Sequence, residues 1–318
     1  MKITKHLAWL LAIILLSCSS PESSDLDSCD CDMNESITGA MLASRFSNLS
    51  DLESQLTIKY FGATNSSDTS NSIYTKVELT HCSAGNQLIS ILESGLSQDD
   101  ITAARDGDYS DQIGLILTAP FAIANRMELN KVYTLARWRP DLFGEGDVAF
   151  FNLAEIAVNS INTEKIAYLN QRDSSEKGYI NSFNHITAQA FITSCFSEEI
   201  ADFIADVHEL HNMPELTSGK FTKKQLADSN NNPMDNYVDM INNEWGQELG
   251  KKLKKQFKIS QNTNWTPELL ADYLNEIQKY YCASFKIGME PVSLANDKLV
   301  RFANKLNVVM KGVPFEEF

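Results

Sequence analysis

Helix-start signals recur through the second half of this chain, and they constrain its fold more than any other feature. Ser197 is followed by Glu198 and Glu199, a hydroxyl cap and then two acids at the positive end of the helix dipole. Asn232-Pro233 and Thr266-Pro267-Glu268 have the same character, with proline at the first helical position. Apolar residues between these signals recur at helical spacing. The pattern predicts helices near 147–162, 179–196, 198–212, 233–257, 266–287 and 293–310. Gly and Pro are scarce, 14 and 8 in 318 residues, which argues against a turn-rich β-sandwich. The expected fold is mainly α, a multi-helix bundle with at most a minor strand or hairpin in the N-terminal half.

The N-terminal half is less regular. Ser50-Asp51-Leu52-Glu53 has the form of a capping box and predicts a short helix running towards Tyr60. Residues 62–72 are a polar loop. Residues 73–80 alternate as a half-buried strand does, with no convincing partner strand after them. Residues 86–96 and 111–138 return to helical spacing, and Pro120 should begin or kink a helix within the latter. The apolar run 115–124 is too short to span a membrane and reads as a buried helix. Arg137-Trp138-Arg139-Pro140 and Gly144-Glu145-Gly146-Asp147 break the pattern and mark a soft boundary near residue 140.

Residues 1–17 have the anatomy of a signal peptide: Lys2, Lys5 and His6, then the apolar stretch Leu7 to Leu16. The segment ends Leu15-Leu16-Ser17-Cys18, which resembles a bacterial lipobox, though Leu16 is bulkier than the usual residue there. That resemblance implies cleavage before Cys18 and lipidation of its sulfur, a stable membrane anchor. Residues 18–36 are rich in Ser and acids and read as a lipidated flexible tether. Ser19, where Asp would favour inner-membrane retention, points to the outer membrane. Residues 37–140 then form an N-terminal helical region and 141–318 a helical domain. A protein or small molecule is the remaining class of partner.

The formal charge is −15, and cleavage removes two lysines and no acid. Such a surface repels phosphate backbones, so nucleic-acid binding is not expected. Beyond Cys18 there are five cysteines, an odd number in an oxidising compartment. Cys29 and Cys31 are too close in sequence to bond each other well, and no second pair completes a zinc set. Cys195 and Cys282 sit in apolar helical patterns as small buried hydrophobes.

Familiar catalytic motifs are missing: no G-x-S-x-G elbow, no phosphate-binding loop, no G-x-G-x-x-G. His208-Glu209-Leu210-His211 spaces its histidines by three and not four, so it is not the zinc-protease motif. What remains spans three consecutive helices: Asn184-His185; then Asp206, His208 and Glu209; then Asp239, Asn242, Asn243 and Gly246. The last four fall at i, i+3, i+4 and i+7 and share one stripe. Asn and Gly are poor helix formers, so something other than propensity places them there, and Gly246 permits close approach of a backbone or ligand.

This ordered pattern, Asn-His, Asp-x-His-Glu, Asp-x-x-Asn-Asn-x-x-Gly over residues 178–255, resembles an uncharacterised helical domain family of secreted bacterial and toxin-associated proteins. Asn184 stands where many members carry a basic residue. The resemblance implies a domain and not a reaction.

The same residues allow three readings. They form a polar core network that fixes helix register. Or they are a hydrolytic site, with His185, His208, Glu209, Asp239, Asn242 and Asn243 as its catalytic groups and a His base oriented by Asp. Or they bind a divalent metal through His185, His208 and Asp239, with Glu209 as base or fourth ligand. The two functional classes that follow are an extracytoplasmic hydrolase and a non-catalytic surface lipoprotein that binds a protein or ligand.

Overall fold

The computed structural model describes residues 39–62, 74–83, 85–106, 119–213, 225 and 233–312. The signal peptide, Cys18, the tether, Cys29, Cys31 and nearly all of the 62–72 loop lie outside the described residues.

The chain is mainly helical, with one three-stranded antiparallel sheet near its N-terminus. A short helix α1 (Leu49–Glu53) leads into strands β1 (Leu56–Gly62), β2 (Tyr74–Ser83) and β3 (Asn86–Glu93). Helices α2 (Gln98–Asp106), α3 (Pro120–Ala124), α4 (Arg126–Ala136), α5 (Pro140–Phe143), α6 (Phe150–Asn159) and α7 (Glu164–Ala167) follow. The long helices complete the body: α8 (Tyr179–Cys195), α9 (Glu198–Asn212), α10 (Pro233–Gln256), α11 (Pro267–Phe285) and α12 (Asp297–Met310).

The start signals act as the sequence predicts. Ser197 accepts from the Ile200 amide and Thr266 from the Leu269 amide, and Pro120 begins α3. Three expectations need correction. The first helix is capped by Asn48, not Ser50, and gives way to a strand before Tyr60. Residues 86–93 are a strand, the missing partner of β2, and not a helix. Of the apolar 115–124 run the described residues are 119–124: Ala119 is buried, but the helix that follows, α3, has no buried residue.

Two apolar clusters hold the body together. In the larger, α8 is central: Phe183 stacks on Tyr281 with ring centroids 3.8 Å apart, and Phe191 packs on Trp265, Tyr273 and Phe302. Val132 and Leu135 of α4 belong to this same cluster, so residues on both sides of position 140 share a core. Lys305 is buried against the break itself, its ammonium donating to the Arg137 and Val148 carbonyls and to Asp147. In the smaller cluster, Val77, Leu79, Leu88 and Leu92 on the inner face of the sheet cover Tyr237, Val238, Ile241 and Trp245 of α10.

α10 crosses α8 at unusually close range because two glycines line the contact. A Cβ on Gly246 would lie 2.7 Å from the Ile186 carbonyl oxygen, and one on Gly250 would lie 2.6 Å from that of Ala190. The backbone that Gly246 admits is α8. This crossing places His185 of α8 against Asp239 and Asn243 of α10.

Candidate functional site

Three helices contribute to the site: α8 gives Asn181 and His185, α9 gives Glu209, and α10 gives Asp235, Asp239 and Asn243. The positions follow from helical period. Ala201, Ala205 and Glu209 form one buried stripe at four-residue spacing on α9. Asp239, Asn243, Gly246 and Gly250 run down the face of α10 that meets α8.

The hydrogen-bond directions fix the chemistry. Asn243 Nδ2 donates to Glu209 Oε1 at 3.3 Å, which turns the amide oxygen the other way. That oxygen lies 2.9 Å from His185 Nδ1, which must therefore carry the proton and donate. Nε2 lies 3.5 Å from Asp239 Oδ2. The other oxygen of Asp239 accepts from Asn181 Nδ2 at 2.8 Å. Asn181 also reaches Asp235, whose carboxylate is ion-paired with Lys177. One ligand atom each from His185, Glu209 and Asp239 lies within 4.8 Å of the other two.

The carboxyls are strongly perturbed. Burial, and then the nearby Asp235, push Asp239 well above the usual carboxylate range. Burial, and then Asp239, push Glu209 up to about 8. Both shifts report negative charge held away from water with too little positive charge beside it. The side chain of His185 is 13% exposed, and Asp239 and Glu209 are buried.

His185, Glu209, Asp239 and Asn243 thus come together, and two other expected members do not. His208 is replaced by Glu209 in the potential ligand set. It sits one residue off the buried stripe of α9, exposed, with its Nδ1 3.3 Å from Gln98 Oε1 and its ring 6.2 Å from that of His185. Protein atoms around it, and then His185, lower its basicity. His211 is drawn aside in the same way and pairs with Asp99 of α2 at 2.8 Å. Asn242 is turned about 100° from Asn243 around α10, and its amide forms two 2.9 Å hydrogen bonds with the backbone N–H and C=O of Met41. It pins the N-terminal segment and touches no other member of the site, so its assignment as a catalytic group is corrected.

Asp206 lies outside the cluster. Burial, then Asp202, Glu244 and Glu93, push it up to about 8. Cys195 is excluded as a nucleophile, since burial pushes its thiol up to about 12. Cys195 and Cys282 are free thiols, with Cys195 buried and Cys282 only half-buried. Asn181, Asp235 and Lys177 were not among the expected residues. Asn181 precedes His185, and Asp235 precedes Asp239, by one helical turn, and that spacing was the available signal.

No protein family, curated protein or solved structure matches this chain. No described helix is long and apolar enough to cross a membrane.

Proposed function

We propose that this chain is a lipid-anchored protein of the bacterial cell envelope, held at the outer membrane through Cys18, and that its three-helix cluster is a hydrolytic centre. The observation that carries the reading is the contact between His185 Nε2 and Asp239 Oδ2. Asn243 faces Nδ1, which leaves Nε2 opposite the Asp239 carboxyl at 3.5 Å, too long for a good hydrogen bond. This gap accepts positive charge. A proton released by an attacking water fits there, taken up by Nε2 as general base and stabilised by the carboxylate. A polar network made only to fix register would close each such contact at ordinary hydrogen-bond length.

A second reading has its own support. Asn242 and Met41 form a fully satisfied buried pair, which is what a structural network looks like. On that reading the chain is a non-catalytic surface lipoprotein that binds a protein or ligand.

The test is a panel of chromogenic ester, phosphoester, amide and glycoside substrates given to the wild type, His185→Gln and Asp239→Asn. The hydrolytic reading expects turnover of one class by the wild type and its loss in both variants, with melting temperatures preserved. Turnover retained by both variants, or none on any class, refutes it.

A further inference from the structure

We infer that the gap between His185, Glu209 and Asp239 is a binding site for a divalent transition-metal cation of the zinc class. This rests on reading the cluster as the functional centre; with an ion bound, His185 Nε2 would be a ligand and not the general base, and water on the ion would supply the nucleophile.

The geometry is the first support. Zinc–nitrogen and zinc–oxygen bonds of about 2.0–2.2 Å at tetrahedral angles hold ligand atoms about 3.4 Å apart. His185 Nε2 and Asp239 Oδ2 are 3.5 Å apart, too far for a good hydrogen bond and suited to a shared ion. Glu209 brings the third ligand atom from the third helix.

The tautomer is the second, independent support. A metal-bound imidazole uses one nitrogen and donates the other to an oxygen that orients the ring. His185 already donates Nδ1–H to Asn243, and Asn243 is itself oriented by Glu209. The ligand carboxylates are supported as well: Asn181 donates to Asp239, and Lys177 neutralises Asp235 behind it. These groups hold the ligand residues in place before any ion arrives.

Charge is the third. Two carboxylate ligands carry together the charge that one divalent cation offsets. One imidazole and two carboxylates suit a borderline ion. Calcium needs six to eight oxygen ligands, roughly twice what is present. Three protein ligands leave one position of a tetrahedral ion open to water, the arrangement of catalytic rather than structural zinc.

The experiment uses the full-length lipidated protein in detergent, stripped with chelator and titrated with Zn²⁺ by calorimetry. X-ray absorption at the zinc edge then reports the ligand atoms, and circular dichroism confirms that each variant is folded. The inference expects one zinc per chain with nitrogen and oxygen ligands at about 2.0–2.2 Å and no sulfur. Glu209→Gln and Asp239→Asn should each weaken binding by about 100-fold or more, and His208→Ala by no more than about threefold. Glu209→Gln and Asp239→Asn are near-isosteric, so if one fails to fold the other decides. Absence of a stoichiometric site, sulfur ligation, or unchanged affinity in the folded variants overturns the inference. Zinc binding without hydrolysis of any substrate supports the metal site and refutes the hydrolase. Hydrolysis that depends on His185 but occurs without zinc does the reverse.

Discussion

Gly246 presses directly on Ile186: a Cβ at that glycine would sit 2.7 Å from the Ile186 carbonyl oxygen and 2.8 Å from Gln189 Cβ. This contact sets the distance between α8 and α10, and so the distance between His185 and the carboxyl of Asp239. The glycine costs about 1 kcal/mol in helix propensity relative to alanine, and here close packing outweighs it.

Gly246→Ala is therefore expected to destabilise, despite alanine's better propensity. The clash is with backbone, which cannot turn aside, and overpacking of this kind costs about 1–3 kcal/mol. Chemical denaturation measures it. A variant as stable as the wild type, or more so, would show that the helices have room to spare.

Asn242→Ala separates scaffold from site. It leaves the buried amide and carbonyl of Met41 without their side-chain partner, at about 1–3 kcal/mol for each group left unsatisfied. The carbonyl keeps one donor, the Ser182 hydroxyl at 2.7 Å, so the lower end of that range applies to it. The melting temperature should fall while zinc affinity stays near that of the wild type. Loss of zinc binding with an unchanged melt would place Asn242 in the site after all.

His81 makes the protein acid-sensitive. It is fully buried beside Trp245, whose indole N–H donates to His81 Nδ1 at 3.1 Å, and burial lowers the ring from 6.5 to about 4. Above pH 6.5 the ring is neutral in both the folded and unfolded chain and has no effect on the pH dependence. As the pH falls from 6.5 towards 4 the unfolded chain takes up the proton first, and stability drops by on the order of 3 kcal/mol. Denaturation curves across that range should steepen this loss in the wild type and flatten it in His81→Gln, which keeps an acceptor for Trp245. Identical pH profiles for the two proteins would contradict the assignment.

Lipidation at Cys18 is tested by metabolic labelling with a fatty-acid analogue. The wild type should be marked and Cys18→Ala should not. Equal labelling of the two would remove the anchor from the account.

The helices were legible wherever a start signal coincided with a long apolar period, as at Ser197 and Thr266. β3 was not, for a physical reason. Its outer face carries Ile89 and Ile91, both substantially exposed, so apolar residues occupy both faces of the strand. Leu88, Ile89, Ile91 and Leu92 then fall at a spacing that a helix satisfies as well as a strand does.

The candidate site was legible to about one residue in position, and its errors are errors of helix face. His208 borders the apolar side of α9, but the buried stripe is Ala201, Ala205 and Glu209, which turns the neighbouring histidine out to Gln98. Asn242 and Asn243 are adjacent, and a rotation of roughly 100° per residue sends one to Met41 and the other to His185. Sequence spacing narrows a polar stripe to a group of residues. The partner helix decides which of them faces the site.

The melting temperature of Asp239→Asn in the presence of chelator tests the central claim most directly. The substitution removes a carboxyl that burial and Asp235 both disfavour in its charged form. The new amide can still accept from Asn181, and its nitrogen can face His185 Nε2 as a donor. If the cluster is a functional centre that tolerates strain for the sake of its chemistry, the variant melts at the wild-type temperature or above it, with zinc binding and hydrolysis lost. A fall in melting temperature as large as that of Asn242→Ala would show that Asp239 holds the three helices together, and would contradict the account.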